Sequence, residues 1–177
     1  MPTYYITTLN FAIPFFITLI AIEIFFSKVY NKDYVIRSMD TLSSLCSGLT
    51  NIVKDVLGLT IIIVSYSYMV DNLAIFNIES SLLVYAIAFI GIDFAGYWVH
   101  RINHSINYFW NHHIIHHSSE EFNLACALRQ SISNFFSISF IFLIPTALIG
   151  VPAEVVGVLA PLHLFAQYWY HTRLIGK

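Results

Sequence analysis

Long apolar runs constrain this chain more than any other feature of its sequence. A helix of about 18–20 apolar residues crosses the roughly 30 Å hydrocarbon core of a bilayer. Five runs that approach this length are predicted to span, at residues 10–26, 56–70, 81–99, 132–149 and 153–170. Because 58% of the 177 residues are hydrophobic and 10% are charged, a soluble domain of this size could not bury them. We therefore predict an all-α integral membrane bundle of about four or five hydrophobic helices, formed by residues 1–177 as a single domain.

The polar connections predict how the bundle is oriented. With the N-terminus outside, all 8 Lys and Arg residues fall on one side of the membrane, which the positive-inside rule assigns to the cytoplasm. The membrane is then a bacterial inner membrane or that of the endoplasmic reticulum. Gly150-Val151-Pro152 predicts a tight turn between the arms of a helical hairpin. Glu23 interrupts the first run and is predicted to face the bundle interior.

The charge and cysteine content exclude two other classes of protein. The formal net charge is −2, and no basic stripe exists that could neutralise the phosphates of a nucleic acid. Cys46 and Cys126 lack the spacing of a disulfide framework and are predicted to be reduced.

Histidines are concentrated in one short part of the chain. Six of the 8 lie within a stretch of 18 residues, on the predicted cytoplasmic side. His100 and His104 are four residues apart, and so are His113 and His117, with His116 beside them. On a helix, side chains four residues apart share one face, so two or three imidazoles converge closely enough to bind a metal ion. Neutral imidazole is a ligand for iron, copper, zinc and nickel, and the spacing does not choose among them.

Further polar residues are predicted to surround this metal site. Gln167 and His171 repeat the four-residue spacing at the inner end of the last run. His112 projects about 100° away from its neighbour on a helix, so it is expected behind the ligands or towards solvent. His163 is in the middle of a run without a matching residue and is expected to be interfacial. Asp93 shares a helical stripe with His100, from which a carboxylate could fix the tautomer of a ligand imidazole.

Alternative metal sites fit the pattern less well. A bis-histidine haem would need single histidines on facing spans, deep in the bilayer. Structural zinc usually recruits cysteine together with histidine, and neither cysteine is at ligand spacing. The number of imidazoles exceeds what one metal needs, so we predict two metals.

The histidine segments resemble a known superfamily. The stretches 93–104 (DFAGYWVHRINH), 110–118 (WNHHIIHHS) and 117–131 (HSSEEFNLACALRQS) are similar to the fatty acid hydroxylase/sterol desaturase superfamily, and most similar to its alkylglycerol monooxygenase-like branch. The resemblance covers residues 91–177. It implies membrane di-iron chemistry in which the metal ligands are His100, His104, His113, His116, His117 and His171. The resemblance also puts Gln167, Asn123 and Arg129 near the site.

The chain departs from the superfamily pattern at two points. Ser105 stands where animal members of the branch tend to have Glu. The pattern also ends in a further HxxHH motif, which does not occur before Lys177. We therefore expect a sequence truncated at its C-terminus, which binds iron weakly or with one equivalent and shows no turnover.

The resemblance implies a function and its partners. It implies an O2-using, iron-dependent membrane oxidoreductase that hydroxylates a C–H bond of an alkylglycerol, sterol or fatty-acyl lipid. An external electron donor of the tetrahydropterin, cytochrome b5 or ferredoxin type would be required. The alternatives are a lipid desaturase on the same scaffold, a non-catalytic metal-binding membrane protein, or an inactive fragment.

Overall fold

The computed structural model describes residues 3–30, 37–57, 61–131 and 138–173. Within these residues the chain forms seven α-helices: α1 (Thr3–Val29), α2 (Ser38–Leu57), α3 (Ile61–Leu73), α4 (Leu82–Ser105), α5 (Asn107–His113), α6 (Ser139–Ile149) and α7 (Ala153–Ala166). Short 3-10 helices form at His116–Ser118, Leu124–Leu128 and Gln167–Tyr170. The described residues contain no strand, and the predicted all-α fold is confirmed.

Two of the described helices are long and apolar enough to cross a membrane. They are Asn10–Val29 in α1 and Leu82–Ser105 in α4, whose apolar windows are only 28% and 22% buried within the chain. Their outward apolar surface is therefore available to lipid, as a membrane protein requires. The predicted second run is represented by α3, and residues 58–60 lie outside the described part. The predicted fourth run is represented by α6, and residues 132–137 also lie outside it.

The main core is built around α4, which packs against α6 and α7. Tyr66, Ala88, Ala147 and Val155 are almost completely buried there. The Tyr66 hydroxyl donates a hydrogen bond to the Val151 carbonyl over 3.0 Å, which satisfies a polar group inside an apolar interior. Small residues such as alanine let these helices approach closely, which is how membrane helices associate.

A tight turn joins α6 to α7, as the sequence predicts. Gly150 adopts a left-handed conformation with φ of 89°, and a Cβ atom there would lie 1.9 Å from the Phe76 carbonyl oxygen. The hairpin itself differs from the prediction. Among the described residues, α6 and α7 do not pack along each other, because both lie against α4.

A second core attaches the connecting segment to α1. Phe16 of α1 packs on Tyr168 with 4.0 Å between ring centroids, and Leu124 is buried in the same cluster. This cluster fixes the segment after the histidines against the first spanning helix.

The helix α2 replaces what the sequence suggested was a polar connection. Its polar side faces inward: Thr41 and Ser44 are buried, and the Ser47 hydroxyl donates to the Gln130 carbonyl over 3.0 Å. Its exposed side carries Met39 and Leu49. The helix α2 therefore packs on the rest of the chain through polar contacts and leaves these apolar side chains exposed.

Candidate metal centre

The last turns of α4 and the end of α5 bring three histidines together. His100 and His104 project from one face of α4, with 4.7 Å between their ring centroids. The chain reverses at Ile106, whose extended conformation ends α4, so α5 returns His113 to the same place. One ligand nitrogen from each of these three histidines lies within 4.8 Å of the others. Three imidazoles from two helices therefore face a common point.

The segment after His113 is not the continuous helix on which the predicted spacing was based. α5 ends at His113, a turn follows, and His116–Ser118 forms a 3-10 helix. His117 still approaches the first group, because its Nε2 lies 3.2 Å from that of His113. His116 instead contacts His171, with 3.2 Å between the two Nε2 atoms.

Backbone carbonyls define the tautomers of His116 and His171. The Nδ1 of His116 lies 3.1 Å from the Arg129 carbonyl, and the Nδ1 of His171 lies 3.2 Å from the Gln167 carbonyl. A carbonyl oxygen only accepts, so each Nδ1 must carry the proton and donate it. In a neutral ring the Nε2 then has a free lone pair, which is the arrangement found in histidine ligands of metals.

Burial keeps these rings neutral. Burial, followed by the neighbouring histidine charges, lowers the pKa of His113 to about 3 and that of His116 to about 4. Burial also lowers the pKa of His117 and of His171. At neutral pH the ring nitrogens are therefore available to a cation instead of repelling it as imidazolium ions.

The distances between nitrogens fit metal coordination. Ligand nitrogens lie 2.0–2.1 Å from such a metal, so two of them at 90–110° to each other are roughly 2.9–3.4 Å apart. The His113–His117 and His116–His171 contacts, each 3.2 Å, fall within this interval. The nitrogens at each contact are therefore spaced as two ligands of one first-row transition metal would be.

Aromatic rings surround the imidazoles. Trp110 packs 5.3 Å from His104 and 5.7 Å from His117, measured between ring centroids. Phe122 stacks on His171 at 5.6 Å. These rings lie against the imidazoles and restrict the rotation of their side chains.

A buried ion pair supports the carbonyl that orients His116. The guanidinium of Arg129 lies 2.8 Å from the Asp40 carboxylate, and their side chains are only 9% and 12% exposed. Desolvation alone would raise the pKa of Asp40, but the hydrogen bond from Ser119 and the charge of Arg129 hold that pKa below its usual value. Asn123 caps the neighbouring 3-10 helix by accepting from the Cys126 amide over 3.0 Å. Asn123 and Arg129 thus shape the segment beside the ligands.

Two buried carboxylates tie the same segment to the rest of the chain. Glu23, 3% exposed and facing inward as predicted, accepts from the Leu124 amide over 2.8 Å and from the Thr172 hydroxyl. Glu121, 6% exposed, lies 3.0 Å from the Nε of Arg37. Sequence reasoning did not single out Glu121 or Asp40, because nothing in their local spacing marks their distant partners.

The remaining predicted residues lie around the cluster. His112 packs its ring against Tyr108 at 5.6 Å between centroids. Asp93 contacts His163 over 2.9 Å, and Gln167 contacts the other ring nitrogen of His163 over 3.4 Å. The expectation that His163 is interfacial is wrong: it is 7% exposed, because α7 packs it against α4.

Comparison with known proteins identifies a family and several relatives of this chain. The sequence model described as "Fatty acid hydroxylase" matches residues 85–177, just over half of the chain. Alkylglycerol monooxygenase of Homo sapiens is 37% identical over 167 residues, which is 94% of this chain and 37% of that protein. The Danio rerio protein of the same name is 36% identical over the same shares, and the Xenopus tropicalis protein is 37% identical over 92% of this chain and 36% of its own length. The chain thus spans a little over a third of the length of these relatives. No solved structure matches it significantly.

Proposed function

The chain belongs to the fatty acid hydroxylase family, and on that premise we propose that it forms the metal-binding part of a di-iron membrane monooxygenase that hydroxylates a C–H bond of a lipid. The similar proteins, named alkylglycerol monooxygenases, favour an alkylglycerol as the lipid class. They are longer than this chain, so the complete activity is part of the proposal.

The proposal depends on one observation: the unprotonated Nε2 atoms of His116 and His171 face each other. Each ring donates its Nδ1 proton to a backbone carbonyl, and the two Nε2 atoms are 3.2 Å apart. Two lone pairs at this distance repel each other unless a cation lies between them. Because the pKa of His116 is lowered to about 4 by burial, a proton does not supply that charge at neutral pH. A metal ion does.

We assign one iron to His100, His104, His113 and His117, and the other to His116 and His171. Bound ferrous iron would supply the two-electron activation of O2, which no side chain of this protein provides. The chain's own residues hold the ligands in one tautomer, restrict their rings with Trp110 and Phe122, and keep the site at the end of a spanning helix. An external donor must deliver the two electrons that hydroxylation requires.

The lipid would reach the site along α4. This helix runs from the bilayer to the histidines, and its exposed Phe94, Tyr97 and Trp98 lie within two turns of His100. An alkyl tail would lie against these side chains, and the Arg101 guanidinium beside Tyr97 and Trp98 would meet its polar end. We propose that the histidine end of the bundle faces the cytoplasm, since the described arginines lie at that end: Arg37, Arg101, Arg129 and Arg173.

Labelled oxygen tests the proposed reaction. The purified chain in nanodiscs, loaded anaerobically with Fe²⁺, receives a deuterated 1-O-alkylglycerol, chemical reductant and ¹⁸O₂. Hydroxylation incorporates one ¹⁸O atom into the lipid, releases the other as water, and replaces one C–D bond by C–OH. A desaturase would remove two deuterium atoms and leave no ¹⁸O in the product.

The metal content of the same samples completes the test. Two iron atoms per chain with a labelled alcohol support the proposal, and they would contradict the expectation that this sequence is truncated and shows no turnover. Bound iron with an unchanged lipid would identify a metal-binding protein without this activity. The same two measurements are made on His100→Ala, which removes a proposed ligand, and on His112→Ala, which removes a histidine that is not a proposed ligand. Only His100→Ala should lower the iron content and the yield of labelled alcohol.

A further inference from the structure

A polar pair joins α4 to α7, away from the metal ligands. Asp93 is on the spanning helix α4, and its Oδ1 lies 2.9 Å from Nε2 of His163 on α7. The histidine side chain is 8% exposed, whereas that of Asp93 is 69% exposed on the outer surface of α4. Ionisable groups within a membrane-spanning helix are costly, so a functional role is the first hypothesis for such a pair. The pair is two helical turns, or about 10 Å, from His100 along α4.

The partners of His163 select one tautomer. A carboxylate only accepts hydrogen bonds, so the Nε2 of His163 must donate to Asp93. The Nδ1 of the neutral ring is then an acceptor, and the amide nitrogen of Gln167, 3.4 Å away, is a donor. Donors and acceptors therefore match along the whole series from Asp93 through His163 to Gln167.

Gln167 connects this series to a metal ligand. Its side chain contacts His163, and its backbone carbonyl accepts from the Nδ1 of His171. Gln167 is the first residue of the 3-10 helix Gln167–Tyr170, which ends just before His171. Its position therefore determines where the side chain of His171 points. A shift of Gln167 would move the Nε2 of His171 away from His116.

A glycine on α4 makes room for the contact. A Cβ atom at Gly96 would lie 3.3 Å from Cε1 of His163 and 3.6 Å from the amide nitrogen of Gln167. A side chain at this position would crowd the ring of His163, while the Gln167 amide would be in ordinary van der Waals contact. Helix packing at Gly96 thus brings the two polar groups against α4.

We propose that Asp93 and His163 are positioning residues for the metal centre: through Gln167 they hold the carbonyl that orients His171 towards His116. The inference rests on the proposed metal centre and adds residues that do not touch the metals. It also gives a role to a carboxylate and a histidine that lie in largely apolar helices.

Cobalt titration of the full chain in detergent tests the role without any need for activity. His171→Ala identifies the metal equivalent that depends on His171. We expect His163→Leu and Asp93→Ala to weaken that same equivalent 10–100-fold, the effect typical of residues behind a ligand. The equivalent that depends on His100 should change less than about twofold, and the ligand-field absorption of the weakened site should shift.

Two further variants separate positioning from general destabilisation. His163→Gln keeps a donor where Nε2 lies and should restore most of the affinity. Val155→Ala removes buried volume from the same helix α7, so it should lower the melting temperature without changing either cobalt affinity.

Each contrary outcome identifies the step that fails. If His171→Ala removes no cobalt, the proposed metal centre is wrong, and the positioning role falls with it. If His171→Ala removes one equivalent but His163→Leu leaves it intact, the centre stands and the positioning role is wrong. Equal weakening of both equivalents, or the same weakening in Val155→Ala, would also overturn the positioning role.

Discussion

The Nδ1 of His116 lies 3.1 Å from the carbonyl oxygen of Arg129, and the two residues are 13 positions apart in the chain. The side chain of Arg129 is in turn paired with Asp40 of α2. A helix outside the main core is therefore connected to a candidate ligand through a single residue. Disturbing α2 should change the metal centre, although α2 provides none of its ligands.

Asp40→Ala is expected to destabilise the protein by about 3 kcal/mol, because it leaves the buried guanidinium of Arg129 without its counter-charge. The metal equivalent that depends on His116 should weaken in parallel. Thermal unfolding in detergent and cobalt titration measure the two effects. Asp71→Asn, an exposed carboxylate at the opposite end of the bundle, is the control and should change neither.

The contribution of Asp40 should also depend on pH. Its pKa is lowered in the folded protein, so its stabilising effect is present above the unfolded pKa of about 3.9. The effect is lost as the pH falls through the lower folded value. The difference in stability between the wild type and Asp40→Asn should therefore be constant from pH 7 to about pH 5 and shrink below about pH 4. A difference that grows on acidification would contradict the assignment.

His113→Ala is expected to abolish most metal binding, whereas His112→Ala should retain most of it. The ring of His113 lies within 4.8 Å of His100 and His104, while that of His112 packs against Tyr108. Elemental analysis of the purified variants provides the measurement. Equal losses in the two variants would show that this distinction is wrong.

Gly150→Ala is expected to destabilise the bundle by about 2–4 kcal/mol. The left-handed conformation costs an alanine about 1–2 kcal/mol, and its Cβ would overlap the Phe76 carbonyl, so the turn must also move. Thermal unfolding should detect the change. Ile149→Ala alters the neighbouring, exposed position and is expected to have a much smaller effect.

The two cysteines should report the orientation of the protein. Cys46 is exposed on α2 and should react with a membrane-impermeant maleimide only from the cytoplasmic side of sealed vesicles. Cys126 is buried, and burial raises the pKa of its thiol, so it should react only after unfolding. Labelling of Cys46 from the outside would reverse the proposed topology.

The spanning helices and the first histidine pair could be predicted from the sequence because both depend on local geometry. An apolar run is read directly from neighbouring residues, and side chains four positions apart share a face on any helix. His100 and His104 therefore lie side by side as predicted. His113 and His117 also approach each other as their spacing predicts, although α5 ends at His113 and they do not share one helix.

The sequence by itself determined an all-α membrane chain with imidazoles gathered at one end, because hydrophobicity and helical periodicity act over a few residues. Only the tertiary structure decided which partners meet. His116 faces His171 from 55 positions away, and Asp93 meets His163 from 70 positions away. Such contacts depend on the reversal at Ile106 and on the packing of α7 against α4, which bring together residues that no local pattern connects.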